Sequence, residues 1–147
     1  MTAHLAQLNI AVPVAPREDP RMAGFYNELD RINALADGWP GFVWRLTDDS
    51  GGDATSLRPF GGDIMVNLST WEGLDALREF TFRSGHLDVL RRRREYFKPF
   101  GDAYAVLWWV PAGHVPSVTE AYDRLERLRR EGPTSGAFTF REPHPAP

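Results

Sequence analysis

Two asparagines lie in stretches of the sequence that otherwise alternate as β-strands do. Asn9 lies in stretch 7–12 and Asn67 in stretch 64–68. Asparagine is disfavoured inside strands, so each side-chain amide calls for an explanation. An amide on a sheet can bind a ligand carbonyl or stabilise an enolate-like oxyanion. The structural alternative is a cross-strand pair in which the two amides bind only each other.

Two further side chains are expected on the same sheet face. Alternation along the strands places Met65 beside Asn67, and it adds Arg45 if the apolar residues of stretch 42–46 face the other way. A mixture of amides, one cation and thioether bulk is typical of a ligand pocket. We therefore predict Asn9, Arg45 and Met65 as substrate-binding residues, with a polar face exposed to water as the alternative.

Trp71 and His86 are the candidates for chemistry outside the strands. Trp71 comes where a strand gives way to a helix, and its indole can form a flat wall against an aromatic substrate. His86 precedes an apolar helical turn, and imidazole titrates near neutral pH, as a general base should. We predict Asn67, Trp71 and His86 as catalytic residues. The alternatives are a buried structural tryptophan and a surface histidine.

Five strands and three helices are predicted around these residues. The strands are 7–12, 42–46, 64–68, 103–110 and 137–140, and the helices run over 19–38, from 69 to about 99 with a break near 84–85, and over 117–132. Capping boxes at Ser69–Glu72 and Ser117–Glu120 begin the last two helices. Stretch 103–110 is apolar on both faces and is predicted to be a central, buried strand.

This order, βαββαβ with an extra C-terminal αβ, predicts an α+β, ferredoxin-like fold. We expect one domain over residues 1–147, with a loose tail at 143–147. If Leu8, Ile10 and Leu68 face the helices, the face with the two asparagines has no helix on it. A second copy of the chain commonly covers such a face, so a homodimer is expected.

The composition excludes several classes of function. The chain has 147 residues, a net charge of -3 and no cysteine, which argues against a nucleic-acid partner and removes thiolate chemistry and disulfides. Neither a phosphate-binding glycine loop nor a metal-ligand spacing occurs. No signal peptide or membrane span is recognisable. We expect a cytoplasmic protein that needs no cofactor or metal.

Several stretches resemble the antibiotic-biosynthesis-monooxygenase-like superfamily of dimeric α/β barrels, and most closely its family of unknown function DUF3291. They are 5–9, 40–46, 67–72, 86–97 and 107–114. In the cofactor-free monooxygenases of the superfamily, an asparagine and a tryptophan four positions apart line the pocket, and Asn67 and Trp71 resemble that pair. In haem-degrading members, the trio of an asparagine, a tryptophan and a histidine is similar to Asn9, Trp71 and His86.

The resemblance implies a dimeric α/β barrel and a small cofactor-independent enzyme of the monooxygenase kind. Its substrate would be an aromatic or polyketide-type small molecule of secondary metabolism, whose own carbanion reacts with dioxygen. A cyclase or isomerase would use the same pocket. Two alternatives stay open: a protein that binds or degrades haem through His86, and a non-catalytic dimer that binds small aromatic molecules.

Overall fold

The computed structural model describes residues 2–47, 57–83 and 92–147. The strands are β1 (Ala3–Ala11), β2 (Phe42–Arg45), β3 (Met65–Trp71) and β4 (Ala105–Pro111), and the helices are α1 (Ala23–Asp37), α2 (Leu74–Arg83), α3 (Arg93–Tyr96) and α4 (Val118–Glu131). His86 and the helix break predicted near 84–85 lie outside the described residues. None of the helices described is long and apolar enough to cross a membrane.

The strands form one antiparallel sheet in the order β2-β3-β1-β4. This confirms the α+β, ferredoxin-like fold class. Strand β4 lies at the sheet edge, so the prediction of a central strand there was wrong. It is buried at the edge because α4 packs on one of its faces and Phe138 packs beside Leu107 on the other. The strand predicted at 137–140 is reduced to isolated bridges, one of which joins Phe138 to Leu107.

Different helices of the same chain cover the two faces of the sheet. On one face, Leu8 packs in a core with Leu125 of α4. On the other, Trp71 packs with Ile32 of α1 and Phe80 of α2. This second face is the one that carries the asparagines, so the prediction that it lacks helices was wrong. The apolar stripes of α1 and α2 find their partners on this face, so helices of the described part of the chain pack on both faces of the sheet.

Strand β2 departs from regular alternation. Its pairs with β3 are Phe42 with Trp71, Trp44 with Thr70 and Arg45 with Ser69. The register shifts between Phe42 and Trp44, because a bulge places an extra residue between them. Phe42 and Arg45 therefore share the asparagine face, whereas Trp44 packs in the core under α4. The predicted common face for Phe42, Trp44 and Leu46 was wrong for this reason.

The capping box predicted at Ser69–Glu72 is not formed. Ser69 lies inside β3, and α2 begins only at Leu74. The backbone of Glu72 instead donates to the carbonyl of Gly41 at 2.7 Å. Gly41 has a φ of 88°, and a Cβ there would lie 2.4 Å from an α2 side chain. Glycine thus permits both the turn and the close approach of β2 to α2.

Helix α4 begins at the predicted N-cap. The Ser117 hydroxyl accepts a hydrogen bond from the backbone of Glu120 at 3.0 Å. The Glu120 carboxylate does not return to the cap: it accepts from Trp108 Nε1 at 2.9 Å and lies 2.7 Å from His114 Nε2. Burial raises the pKa of Glu120, but the hydrogen bonds from His114 and Trp108 outweigh it and hold this pKa below its ordinary value of 4.5.

Replacing Leu125 by alanine tests the packing of α4. Leu125 is 1% exposed, so Leu125→Ala should lower the free energy of unfolding by about 2–5 kcal/mol. Ser117→Ala removes only the cap and should cost about 1 kcal/mol. Urea melts of both variants measure the two effects. A larger loss for Ser117→Ala than for Leu125→Ala would contradict this packing.

The Glu120 carboxylate makes stability depend on pH. Because its pKa is lowered in the folded chain, its contribution is present above the ordinary value of 4.5 and is lost as the pH falls through the folded value. The gap in urea midpoint between the wild type and Glu120→Gln should therefore be wider at neutral pH than in acid below both pKa values. Glu131→Gln, at the other end of α4, serves as the control. An equal gap at both pH values would contradict the assignment.

Candidate active site

A cavity of about 370 Å³ lies between the asparagine face of the sheet and helices α1 and α2. This volume falls in the range of small-molecule sites. Polar side chains from β1 and β3 form its floor: Gln7, Asn9, Asn67 and Ser69. Apolar side chains form most of its walls, among them Phe25, Ile32, Phe42, Leu77, Phe80 and Phe97. A polar floor under apolar walls can orient a flat, apolar molecule that carries one or two oxygens.

The cavity brings together five of the six residues predicted from the sequence. Asn9, Arg45, Met65, Asn67 and Trp71 all line it. The strand register explains this, because Asn9 pairs directly with Asn67 and the neighbours on the same face follow at intervals of two residues. The sixth residue, His86, lies outside the described part of the chain. The roles assigned to these residues stay predictions.

A hydrogen-bond network fixes the side chains of the floor. Gln7 Nε2 donates to Asn67 Oδ1 at 2.9 Å and to Ser69 Oγ at 2.8 Å. Trp71 Nε1 donates to the same Ser69 oxygen at 2.9 Å. Asn67 is thus held by Gln7, and within the described residues no hydrogen bond joins its side chain to Asn9. The structural alternative of two asparagines that bind only each other is therefore not realised there.

Ser69 and Gln7 also line the cavity, although neither was selected as a site residue from the sequence. Ser69 was interpreted as a helix cap, although its distance of two residues from both Asn67 and Trp71 places all three on one strand face. With two hydrogen bonds accepted, the Ser69 hydroxyl retains its proton for donation. Within the described part of the chain, no protein group accepts a hydrogen bond from Asn67 Nδ2. Both groups can therefore donate to a ligand oxygen.

Trp71 is placed as a wall of the cavity. The residue is 2% exposed, and its ring centroid lies 5.3 Å from that of Phe42 and 5.2 Å from that of Phe80. Its indole N–H already donates to Ser69, so the side chain offers a ligand its aromatic surface. Its role as a flat wall against an aromatic substrate stays a prediction, since a side chain buried to this extent also fits a structural tryptophan.

Arg45 and Met65 have partners within the protein. The guanidinium of Arg45 makes two hydrogen bonds to the carboxylate of Asp37, at 2.8 and 3.2 Å. Its charge is therefore balanced, and it joins β2 to the end of α1. Met65 is 6% exposed and lies at the opposite end of the floor, where its sulfur is 4.0 Å from the hydroxyl of Tyr26. It supplies apolar bulk at that end.

The described lining residues include neither a carboxylate nor an imidazole. The ionisable ones are Arg45, Arg93 and Tyr104. Among the residues described, no group of three or more His, Cys, Asp or Glu side chains is placed to hold a metal ion. The described lining thus offers a ligand amide and hydroxyl groups, aromatic surfaces and the guanidinium group of Arg93.

The shared Ser69 oxygen couples the floor of the cavity to its wall. Ser69→Ala leaves the buried Trp71 N–H without an acceptor and should cost about 1–3 kcal/mol in the free energy of unfolding. In a Trp71→Phe background the same change should cost clearly less, because that N–H is already gone. Urea melts of the two single variants and the double variant measure the coupling. Strictly additive losses would show that the two side chains do not interact.

Comparisons with known proteins agree with the fold and the family. The profile described as "Domain of unknown function (DUF3291)" matches residues 4–147. SnoaB from Streptomyces nogalater, described as a cofactor-independent oxygenase, matches with a TM-score of 0.50 and 19% identity over 78% of this chain and 97% of its own. PA3566 from Pseudomonas aeruginosa matches with a TM-score of 0.51 and 11% identity over 78% of this chain and 98% of its own.

Identities this low establish a shared fold and carry no activity with them. A search of curated proteins finds no match. The family profile, by contrast, spans nearly all of the sequence, and the predicted family is thereby confirmed. The chain belongs to the DUF3291 family.

Proposed function

We propose that the protein is a cofactor-independent enzyme of the oxygenase type that acts on an aromatic or polyketide-type small molecule of secondary metabolism. The observation that carries this proposal is the cavity between the sheet and the helices. Its floor presents the amides of Asn9 and Asn67 beside the Ser69 hydroxyl, and its walls are aromatic. That combination suits a flat ketone whose oxygen becomes negatively charged during the reaction.

The first step is loss of a proton from a ring CH₂ group that is conjugated with the ring carbonyl of the substrate. The negative charge moves to the carbonyl oxygen, which we place against Asn67 Nδ2 and the Ser69 hydroxyl. Gln7 holds Asn67 by its oxygen, which leaves the NH₂ group to donate to the substrate. Donors fixed in advance stabilise the enolate more than the neutral ketone, and this difference lowers the barrier.

The second step is reaction of the enolate with dioxygen. A ring CH₂ group and one O₂ give a ring C=O and one water, so the substrate supplies all four electrons and no other reductant is required. The apolar walls, with Phe42 and Trp71 among them, would contact the ring system of the substrate. SnoaB shares the fold and is described as a cofactor-independent oxygenase, which supports oxygen chemistry here. A cyclase or isomerase would use the first step alone.

The group that accepts the proton is assigned to His86 from the sequence only. That residue lies outside the described part of the chain, so its role as general base stays a prediction. Haem binding through His86 stays a prediction for the same reason, and a Soret band that is lost in His86→Ala would support it. Non-catalytic binding of aromatic molecules remains the third possibility, and it differs from our proposal in predicting no turnover.

A homodimer that forms an α/β barrel remains part of the proposal. The uncovered asparagine face expected from the sequence does not support it, because α1 and α2 cover that face. Helix α4 and the segment around Phe60 form a layer on the opposite face. Apolar side chains do remain on the outside of that layer: Tyr122 is 44% exposed and packs against the Phe60 ring. Light scattering at micromolar concentration tests whether two copies associate.

Anthrone serves as a probe of the proposed oxygenase activity. The wild type should consume oxygen and form anthraquinone faster than buffer does. Asn67→Ala should lower kcat by ~10²–10³ because it removes a donor to the oxyanion. Asn67→Asp keeps an acceptor for Gln7 but removes the donor, and it should be as slow as Asn67→Ala. An oxygen electrode together with quinone absorbance measures both rates.

Asn27→Ala is the matched control for this experiment. Asn27 is an exposed asparagine of α1 that does not line the cavity, and its replacement should leave the rate unchanged. Oxygen uptake that is equal in the wild type and Asn67→Ala would contradict the assigned role of the amide. Binding of anthrone without any turnover would favour the non-catalytic alternative.

A further inference from the structure

Two arginines line the cavity, and their surroundings differ. Arg45 is bound by the Asp37 carboxylate. Arg93 of α3 instead lies over two aromatic rings, with its Cζ 4.2 Å from the ring centroid of Tyr104 and 5.4 Å from that of Phe97. Stacking of this kind holds a guanidinium by its flat face and leaves the N–H groups at its edge directed outwards.

The charge of Arg93 is not balanced by the residues described. No aspartate or glutamate of residues 2–47, 57–83 and 92–147 lies within ion-pair distance of it. Its neighbour Arg92 does have such a partner, in Glu95 at 2.7 Å. Arg93 is only partly exposed, because the rings cover part of it and the rest borders the cavity. Among the described lining residues, Arg93 is therefore a cationic group that is available to a ligand.

The strand register gives the position of this cation relative to the amides. Asn67 of β3 pairs with Asn9 of β1, and Asn9 pairs with Ala105 of β4. Tyr104, under Arg93, directly precedes Ala105. The β3 and β4 backbones are two strand spacings apart, about 10 Å. A flat molecule that lies across the strands could place one end at Asn67 and the other end near Arg93.

We propose that Arg93 binds a carboxylate of the substrate, so that the enzyme acts on aromatic acids. This inference rests on the proposed function, because it takes the cavity to be the substrate site. The carboxylate lies at the β4 side, where the guanidinium edge can donate two parallel hydrogen bonds to it. The carbonyl that becomes an oxyanion lies at Asn67. Arg93 thereby selects acids over neutral aromatics and fixes which end of the ring system meets the amides.

The experiment compares two probes of the same ring system, anthraquinone-2-carboxylate and the neutral 2-(hydroxymethyl)anthraquinone. Calorimetry or quenching of tryptophan fluorescence gives Kd for each. The wild type should bind the acid roughly 10-fold or more tightly than the alcohol, since a charge-assisted pair replaces a neutral contact. Arg93→Gln should remove this preference by weakening the binding of the acid while leaving the binding of the alcohol unchanged. Arg93→Lys, which keeps the charge but loses the planar fork, should retain part of it.

Arg94→Gln is the matched control, since it removes the same charge from the same helix at an exposed residue that does not line the cavity. It should leave both Kd values unchanged. Equal affinity of the wild type for acid and alcohol would overturn the role of Arg93 while supporting the cavity as a binding site. Failure of both probes to bind would overturn the role of Arg93 and the proposed function together. If Arg93→Gln does not fold, the role of Arg93 is tested by comparing the preference for acid over alcohol in the wild type with that in Arg93→Lys.

Discussion

The pairing of β1 with β3 is the constraint on which the candidate site depends. Asn9 lies opposite Asn67 and Gln7 lies opposite Ser69. A slip of this pairing by one residue would turn every one of these side chains to the opposite face, under α4. Residues on the opposite face of the sheet fix this register, because Leu8 and Leu68 pair directly and each is at most 1% exposed. The apolar core under α4 thus determines where the polar groups of the cavity stand.

The cavity exists because helices cover a face that they cannot pack completely. Trp71 and its aromatic neighbours fill the space at one end, and a second apolar cluster around Met65 and Tyr96 fills it at the other. Between these ends the sheet carries amides and a hydroxyl, which hydrogen-bond to one another along the floor. The same polar residues that leave the space unfilled would bind the substrate in it.

Local sequence patterns predict the parts of this site that depend on strand alternation. Asn9, Met65 and Asn67 share a face as expected, and the N-cap at Ser117 forms as expected. A local pattern gives a wrong prediction where long-range strand pairing overrides it. The spacing of Ser69 and Glu72 favours a helix cap, but pairing of Ser69 with Gln7 of β1 extends the strand past it.

Other features depend on contacts that no local pattern contains. The β2 bulge that turns Phe42 towards Trp71 depends on how β2 meets β3. Tertiary packing determines which face of the sheet α1 covers. The apolar stripe of a helix predicts only that this side of the helix is buried, not which surface covers it. The stacking of Arg93 over Tyr104 also depends on tertiary packing, because the sequence shows only that Arg93 belongs to a run of four arginines at 91–94.

The most direct test of the central claim is a crystal structure of the protein soaked with anthraquinone-2-carboxylate. We expect a ring system between the sheet and helices α1 and α2, with a ring carbonyl within hydrogen-bond distance of Asn67 Nδ2 and the carboxylate at Arg93. An empty cavity in a crystal that holds the molecule at another surface, at a concentration that saturates binding in solution, would contradict it.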